Sequence, residues 1–257
     1  MIFLFSDFGL TGPYTGQVKA VLMRAAPEVP VIDLFADAPC FDPQLSAYLL
    51  AAYTDSCMTG DVYLCIVDPG VGTDRRPLVL HADGRWFVGP DNGLFELVRR
   101  RSKLVHAWVI DWVPPQLSAT FHGRDLFAPI AARLALGEAS PGLPLAPDSI
   151  ARPTWPDELA RVVYIDGYGN VMVGIRAKSL RRAAMVDIDG LMVKRHRSFA
   201  DVSPGEPLWC ANANGLLEIA VNQGNAANAL NLRVGSPVKI VATLPHRGTP
   251  RIEVLMD

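Results

Sequence analysis

The first half of the chain alternates short apolar runs with longer stretches of mixed polarity. Residues 2–6 read as a buried strand that stops at Asp7. A short apolar run bounded by turn residues is the pattern of a strand covered on both faces. Gly9, Gly12 and Pro13 form a loop, and 14–26 carries a helical pattern. Val29–Phe35 is a second strand. Asp42-Pro43 offers an N-cap followed by proline at the first helical position, where a missing N–H costs nothing. A helix is therefore expected to about Tyr53, before a third strand at Val62–Val67. Leu78–His81 and Trp86–Val88 flank Ala82-Asp83-Gly84-Arg85, a hairpin turn. Pro90-Asp91-Asn92-Gly93 introduces a helix to about Arg101, Leu104–Ile110 is a strand, and Arg124–Leu136 is helical. Strands alternating with helices predict an α/β N-terminal domain with a mainly parallel central sheet.

The texture then changes. Residues 137–156 hold five prolines, two glycines and little periodicity. The reading is an α/β domain over 1–140, a Pro-rich linker over 141–156, and a second domain over 157–257. In the second domain helix signals nearly vanish. Val162–Ile165 and Val171–Ile175 flank Asp166-Gly167-Tyr168-Gly169-Asn170. Met185–Ile188 and Leu191–Lys194 flank Asp189-Gly190, and Leu208–Ala211 and Leu216–Val221 flank Asn212-Ala213-Asn214-Gly215. Val238–Val241 and Ile252–Leu255 close the chain, and Ala/Asn-rich 222–231 is a short polar loop or helix. A run of hairpins predicts a small all-β, barrel-like domain.

Composition narrows the class. Half of the 257 residues are hydrophobic, enough for a sizeable core, and the net charge is −2. Nothing favours a nucleic-acid partner, and the basic clusters Arg99-Arg100-Arg101 and Lys194-Arg195-His196-Arg197 read as solvated faces. Cys40, Cys57, Cys65 and Cys210 form no CxxC pair, so reduced, mostly buried thiols are expected. The apolar start MIFLF is too short for a signal core or a membrane span. The expectation is a cytoplasmic protein with no membrane partner.

Candidate chemistry gathers at strand ends. Val67-Asp68-Pro69-Gly70-Val71-Gly72-Thr73-Asp74-Arg75-Arg76 follows the third strand directly. Proline and glycine cannot continue a sheet, so Asp68 falls at the carboxyl end of a central strand, where open α/β sheets bind ligands. Arg75 lies seven residues on and keeps its charge, and His122 stands just before a helix, beside charged residues. Asp7 and Asp91 also sit at strand ends, though either can simply cap the next turn or helix. Arg124 and Asp125 can likewise be a local pair. Two chemistries stay open on these residues. One is metal-assisted hydrolysis with Asp7, Asp68, Asp91 and His122 as ligands. The other is metal-free activation of a water or small anion by Asp68, Arg75 and His122. The arginine favours the second, because it supplies fixed positive charge where a metal otherwise stands.

Several motifs share a resemblance. Ser6-Asp7-Phe8-Gly9, Val67–Thr73 with Arg75-Arg76, Gly89-Pro90-Asp91-Asn92-Gly93 and Thr120-Phe121-His122-Gly123-Arg124-Asp125 resemble the SAM hydroxide adenosyltransferases. These are S-adenosyl-L-methionine (SAM) hydrolases related to the fluorinase and chlorinase. The second half is similar too, through Ile165–Asn170 and Asn214–Asn222. The resemblance implies an N-terminal α/β domain, a C-terminal β-barrel and a homotrimer with active sites at subunit interfaces. It implies hydrolysis of SAM to adenosine and methionine, with SAM as substrate, no cofactor and no metal. It places catalysis on Asp68, Arg75 and His122. Substrate binding falls on Asp7 at the ribose diol, Phe41 near the sulfonium, Asp166 at the ammonium, and Tyr168 and Asn170 around adenine. The halogenases carry other residues at the three catalytic places, a Ser at position 123 and, in the fluorinase, an inserted loop, so the hydrolase branch is favoured. A SAM- or adenosine-binding protein with little turnover is the alternative of a different class. Two departures concern the methionine end: relatives often carry Asp where Gly12 stands and Ser where Ala213 stands.

Overall fold

In the computed structural model, which describes residues 1–54, 58–140, 142–242 and 253–254, the chain divides into Met1–Trp155 and Pro156–Asp257. The first unit is built on β1 (Ile2–Ser6), β2 (Val31–Phe35), β3 (Val62–Ile66), β4 (Pro77–Ala82), β5 (Arg85–Pro90), β6 (Val105–Ile110) and β7 (Gly142–Leu145). Their order in the sheet is β2-β1-β3-β5-β4-β6-β7. β1 pairs in parallel with β2 and β3, and β3 with β5. β4 is antiparallel to β5 and β6, and β6 to β7. The sheet is thus mixed, where a mainly parallel one was expected. The cause is the hairpin at Asp83-Gly84, whose positive φ values of 47° and 83° suit a tight turn. It returns β5 antiparallel beside β4 and slots it between β4 and β3. The Pro-rich stretch contributes to this unit as well, since β7 lies within it.

Among the described residues, four α-helices flank the sheet: α1 (Tyr14–Ala25), α2 (Pro43–Thr54), α3 (Glu96–Arg101) and α4 (Ala128–Ala135). Asp42 Oδ1 accepts the Leu45 N–H at 2.9 Å, the cap that the Asp-Pro pair promised. One sheet face buries Ile2, Leu4, Val62 and Leu64 against Val18 and Leu22 of α1 and Ile130 and Leu134 of α4. The other face carries a ring stack, Phe3–Tyr63–Phe87, with centroids 5.2 and 4.9 Å apart. Phe35 meets Tyr53 of α2 at 4.8 Å. The basic cluster before Ser102 is not a plain solvated face. Glu96 is 1 % exposed, and Arg99 and Arg100 both bond its carboxylate. A buried carboxylate needs such partners.

The second unit is almost wholly antiparallel. One sheet is ordered β12-β13-β9-β8, from Pro207–Ala211, Leu216–Val221, Val171–Arg176 and Leu159–Ile165. The other is β11-β10-β14-β15, from Leu191–Val193, Met185–Ile188, Lys239–Ala242 and Glu253–Val254. Ile252 and Leu255 of the expected last strand lie outside the described residues. The polar stretch after β13 holds one short helix, α5 (Ala226–Ala229), capped by Asn225 Oδ1 on the Asn228 N–H at 2.8 Å. The core of this unit is Val162, Val173, Val186, Trp209, Leu217 and Ile219 with their neighbours. Cys65 and Cys210 are buried as expected, whereas Cys40 is exposed; Cys57 lies outside the described residues.

Candidate active site

The chain leaves β1 for β2 on one side and returns to β3 on the other, so the direction of winding switches between β1 and β3. Such a switch opens a crevice at the carboxyl ends of the two strands. Asp7 follows β1 and Asp68 follows β3 by two residues, and the Asp7 N–H reaches the Ile66 carbonyl at 3.3 Å. A cleft lies there, lined by Asp7, Phe8, Phe41, Ile66, Asp68, Val71, Thr120, Phe121, His122 and Gly123.

Behind this cleft, Arg75 joins the two other expected catalytic residues. Its Nη2 donates to Asp68 Oδ2 at 2.5 Å, and its Nε lies 3.0 Å from each Asp68 oxygen. The same Nη2 lies 2.8 Å from His122 Nδ1. The Asp68 and Arg75 side chains are only 5 % and 9 % exposed. Phe127 sits under the guanidinium, its ring centre 5.2 Å from Cζ. Arginine has donors only, so His122 Nδ1 must accept and its ring hydrogen resides on Nε2. Burial first, and then the Arg75 charge, lower the His122 pKa below its usual 6.5; Asp68 and Asp125 oppose this. Neutral imidazole is therefore the resting form near pH 7.

Local structure holds these groups in place. His122 precedes a π-turn, Gly123–Phe127, which runs into α4. Such wide turns recur at functional sites. Arg124 and Asp125 do form a local pair at 2.6 Å, and Asp125 also accepts the Ser118 N–H at 2.9 Å, fastening the loop before His122. Gly72, at φ +80°, lies where a Cβ would come within 2.6 Å of the Ala119 carbonyl. Only glycine lets the Asp68 loop approach the His122 loop this closely.

Asp7 Oδ2 accepts the Phe41 N–H at 3.0 Å. Burial raises the Asp7 pKa, and the Asp68 charge adds to it, while the Phe41 N–H opposes. Phe41 adopts φ +57° and is 75 % exposed, a left-handed bend that presents its ring to solvent at the cleft edge. Such a conformation costs energy for a bulky residue. The first unit thus brings together Asp7, Phe41, Asp68 and His122, with Arg75 behind.

Asp166, Tyr168 and Asn170 belong to the second unit, in the turn between β8 and β9. Asp166 Oδ1 accepts the Tyr168 and Asn170 N–H groups, both at 2.9 Å, and Asn170 Nδ2 donates to Asp166 Oδ2 at 3.0 Å. Two of the three side chains therefore shape their own turn, while Tyr168 is 81 % exposed. Gly12 and Ala213 are both exposed.

Asp91 differs from both of its sequence readings. Its carboxylate takes Arg76 at 2.5 Å and Arg152 at 3.1 Å, and it is neither a cap nor a free ligand. Asn92 Oδ1 instead accepts the Leu94 N–H at 3.2 Å in the turn ahead of α3, whose N-terminus has no side-chain cap. Among the described residues, no group of three or more His, Cys, Asp or Glu side chains could hold a metal ion. No helix among them is long and apolar enough to cross a membrane. Sequence reading gave no role to Phe8, Val71, Thr120 or Phe121 in the cleft wall, although all four lie inside the motifs that carried the resemblance.

Comparison with known proteins accords with this geometry. Residues 2–143 match the family model described as SAM hydroxide adenosyltransferase N-terminal domain, and residues 160–239 match the C-terminal domain model. A Thermus thermophilus protein named (R)-S-adenosyl-L-methionine hydrolase is 40 % identical, over 93 % of this chain and 99 % of its own. A Salinispora tropica protein of the same name is 36 % identical over 92 % and 96 %. Among solved structures, an uncharacterized conserved protein from Thermotoga maritima superposes with a TM-score of 0.81 at 28 % identity, covering 93 % of this chain and 99 % of that one. The chain belongs to the SAM hydroxide adenosyltransferase family.

Proposed function

We propose that this protein hydrolyses (R)-S-adenosyl-L-methionine to adenosine and L-methionine. The observation that carries the reading is the nearly dry Asp68–Arg75–His122 chain set against the cleft that holds Asp7. Relatives named for this activity cover almost the whole chain.

The reaction needs only what these side chains supply. The sulfonium is already an activated leaving group. Water attacks the ribose C5′, the C5′–S bond breaks with its electron pair going to sulfur, and methionine departs as a neutral thioether. One proton is released from the water, so a base is required and a general acid is not. His122 is an unsuitable base in the observed tautomer, because Arg75 occupies Nδ1 and Nε2 already bears hydrogen. Asp68 takes the proton, and the His122 Nε2–H orients the water. Arg75 stabilises negative charge developing on the nucleophile. Asp68 also offsets the repulsion between the guanidinium and the sulfonium. No cofactor enters this scheme.

For binding, Asp7 accepts from the ribose hydroxyls and the Phe41 ring faces the sulfonium. Asp166 meets the ammonium, and Tyr168 and Asn170 take adenine. We read the assembly as a homotrimer, each site pairing a cleft with the β8–β9 turn of a neighbouring subunit. The high exposure of Tyr168 and Phe41 supports this reading.

Incubation with SAM in H₂¹⁸O tests the function. Equimolar adenosine and methionine are expected, with the label in adenosine, at a rate indifferent to EDTA. Asp68→Asn should lower kcat by about 10²–10⁴-fold, the usual contribution of a positioned base. Absence of adenosine, or label in methionine, would overturn the reaction. Full activity of Asp68→Asn would overturn the assigned base.

A further inference from the structure

The loop that carries Asp68 and Arg75 does not join adjacent strands. It leaves β3 and enters β4, yet β5 lies between them in the sheet. Pro77 of β4 pairs with Pro90 of β5, so the carboxyl end of β5 lies at the same sheet end as the loop's exit. β5 runs parallel to β3, which puts its carboxyl end at the loop's entrance as well. The loop therefore arches over the end of β5, with one stem on each side.

The two residues that follow β5 each grip one stem. Asn92 Nδ2 donates to the Val67 carbonyl at 2.8 Å, one residue before Asp68. The Asp91 N–H donates to the Arg76 carbonyl at 2.9 Å, one residue after Arg75. Arg76 Nε returns a bond to Asp91 Oδ2 at 2.7 Å, and the Asp91 side chain is 7 % exposed. The side-chain grip on the β3 stem is a single neutral bond, and that on the β4 stem is charge-assisted.

We propose that Asp91 and Asn92 are positioning residues: by holding both feet of the arch they fix the separation and facing of Asp68 and Arg75. This rests on the function proposed above, and it assigns a role to a part of the Gly89–Gly93 motif that touches neither the substrate cleft nor the reacting groups. The physical need is plain. A seven-residue offset between Asp68 and Arg75 through a Pro/Gly segment gives many loop conformers, whereas a bidentate carboxylate–guanidinium contact tolerates few. Catalytic geometry is lost over displacements of about 1 Å. Arg152 also bonds Asp91, but among the described residues its guanidinium bonds otherwise go to the Ile150 and Ala151 carbonyls and not to the arch.

Asn92→Asp and Arg76→Met test the two grips, with Arg76→Lys as rescue and Arg152→Met as control. Positioning predicts that Asn92→Asp and Arg76→Met each lose at least tenfold in kcat while KM for SAM stays within about threefold, because uniform binding is untouched. Arg76→Lys, which keeps a donor for Asp91, should recover most of that loss. Arg152→Met should lower Tm and leave kcat near wild type. Wild-type kcat in folded Asn92→Asp or Arg76→Met would overturn the proposal. So would a kcat loss in Arg152→Met that matches the others in proportion to Tm. Should Asn92→Asp not fold, Arg76→Met and its lysine rescue decide alone. If the wild-type protein makes no adenosine from SAM, it is the proposed function that fails instead.

Discussion

His122 owes its chemistry to Arg75 twice over. The guanidinium dictates the tautomer through its bond to Nδ1, and its charge helps hold the imidazole neutral. One substitution removes both effects. Arg75→Met removes a cation beside the ring and leaves Asp68 without its partner, so both changes favour imidazolium. Imidazole NMR should place the wild-type His122 midpoint below 6.5 and move it upward in Arg75→Met. An unchanged or lower midpoint would show that burial alone sets the value. The sign carries to stability as well. A histidine whose folded pKa is lowered stabilises the native state above its unfolded value near 6.5, and that contribution is lost as pH falls through the folded value. Sequence pattern could bring Asp68, Arg75 and His122 under suspicion, because strand ends and residue types are visible in it. Which ring nitrogen faces the arginine is not visible, since that depends on packing across a separation of 47 residues.

The π-turn after His122 shows how an element shapes the cleft. Gly123 lies where a Cβ would come 2.9 Å from Ile66 Cδ1, 3.2 Å from Ile66 Cγ2 and 3.4 Å from Phe8 Cζ. Ile66 is 4 % exposed in the sheet, so it yields little. Gly123→Ala should cost about 1–3 kcal/mol through overpacking. Because Ile66 and Phe8 both line the cleft, KM for SAM should rise at the same time. Thermal unfolding and initial rates check this, and an unchanged Tm with unchanged KM would mean that the wall relaxes freely. At this scale the sequence was most informative for β1, α2, β3 and the second-unit hairpins, where pattern and turn chemistry agree. It was least informative for β7 and for strand direction. Gly142–Leu145 has no strand signature, with a glycine and a proline among four residues, and it forms because β6 offers an open edge. Direction in the sheet follows from where the Asp83-Gly84 hairpin docks, which local periodicity does not encode.

For the molecule as a whole, the proposed site is divided between positions far apart in sequence. Asp68 and His122 sit in the first unit, and Tyr168 sits in a turn of the second. In the proposed homotrimer each site takes its cleft from one subunit and its adenine-binding turn from the next, as closed rotational symmetry allows. Two crippled variants should then complement each other. Asp68→Asn subunits retain an intact β8–β9 turn, and Tyr168→Ala subunits retain an intact cleft. In randomly mixed trimers at equal ratio, a site is intact when its cleft comes from Tyr168→Ala and its turn from Asp68→Asn. That happens with probability one half times one half, so activity at SAM concentrations below KM should return to about a quarter of wild type. Refolding or co-expression of the two variants, followed by adenosine assay, measures this directly. Sites built within single subunits predict no recovery at all, because every chain carries one defect. A particle mass about three times 27.9 kDa by light scattering is the accompanying requirement. A mass near one chain, or a mixture no more active than its components, would remove the shared-site arrangement while leaving the cleft chemistry to be judged by Asp68→Asn alone.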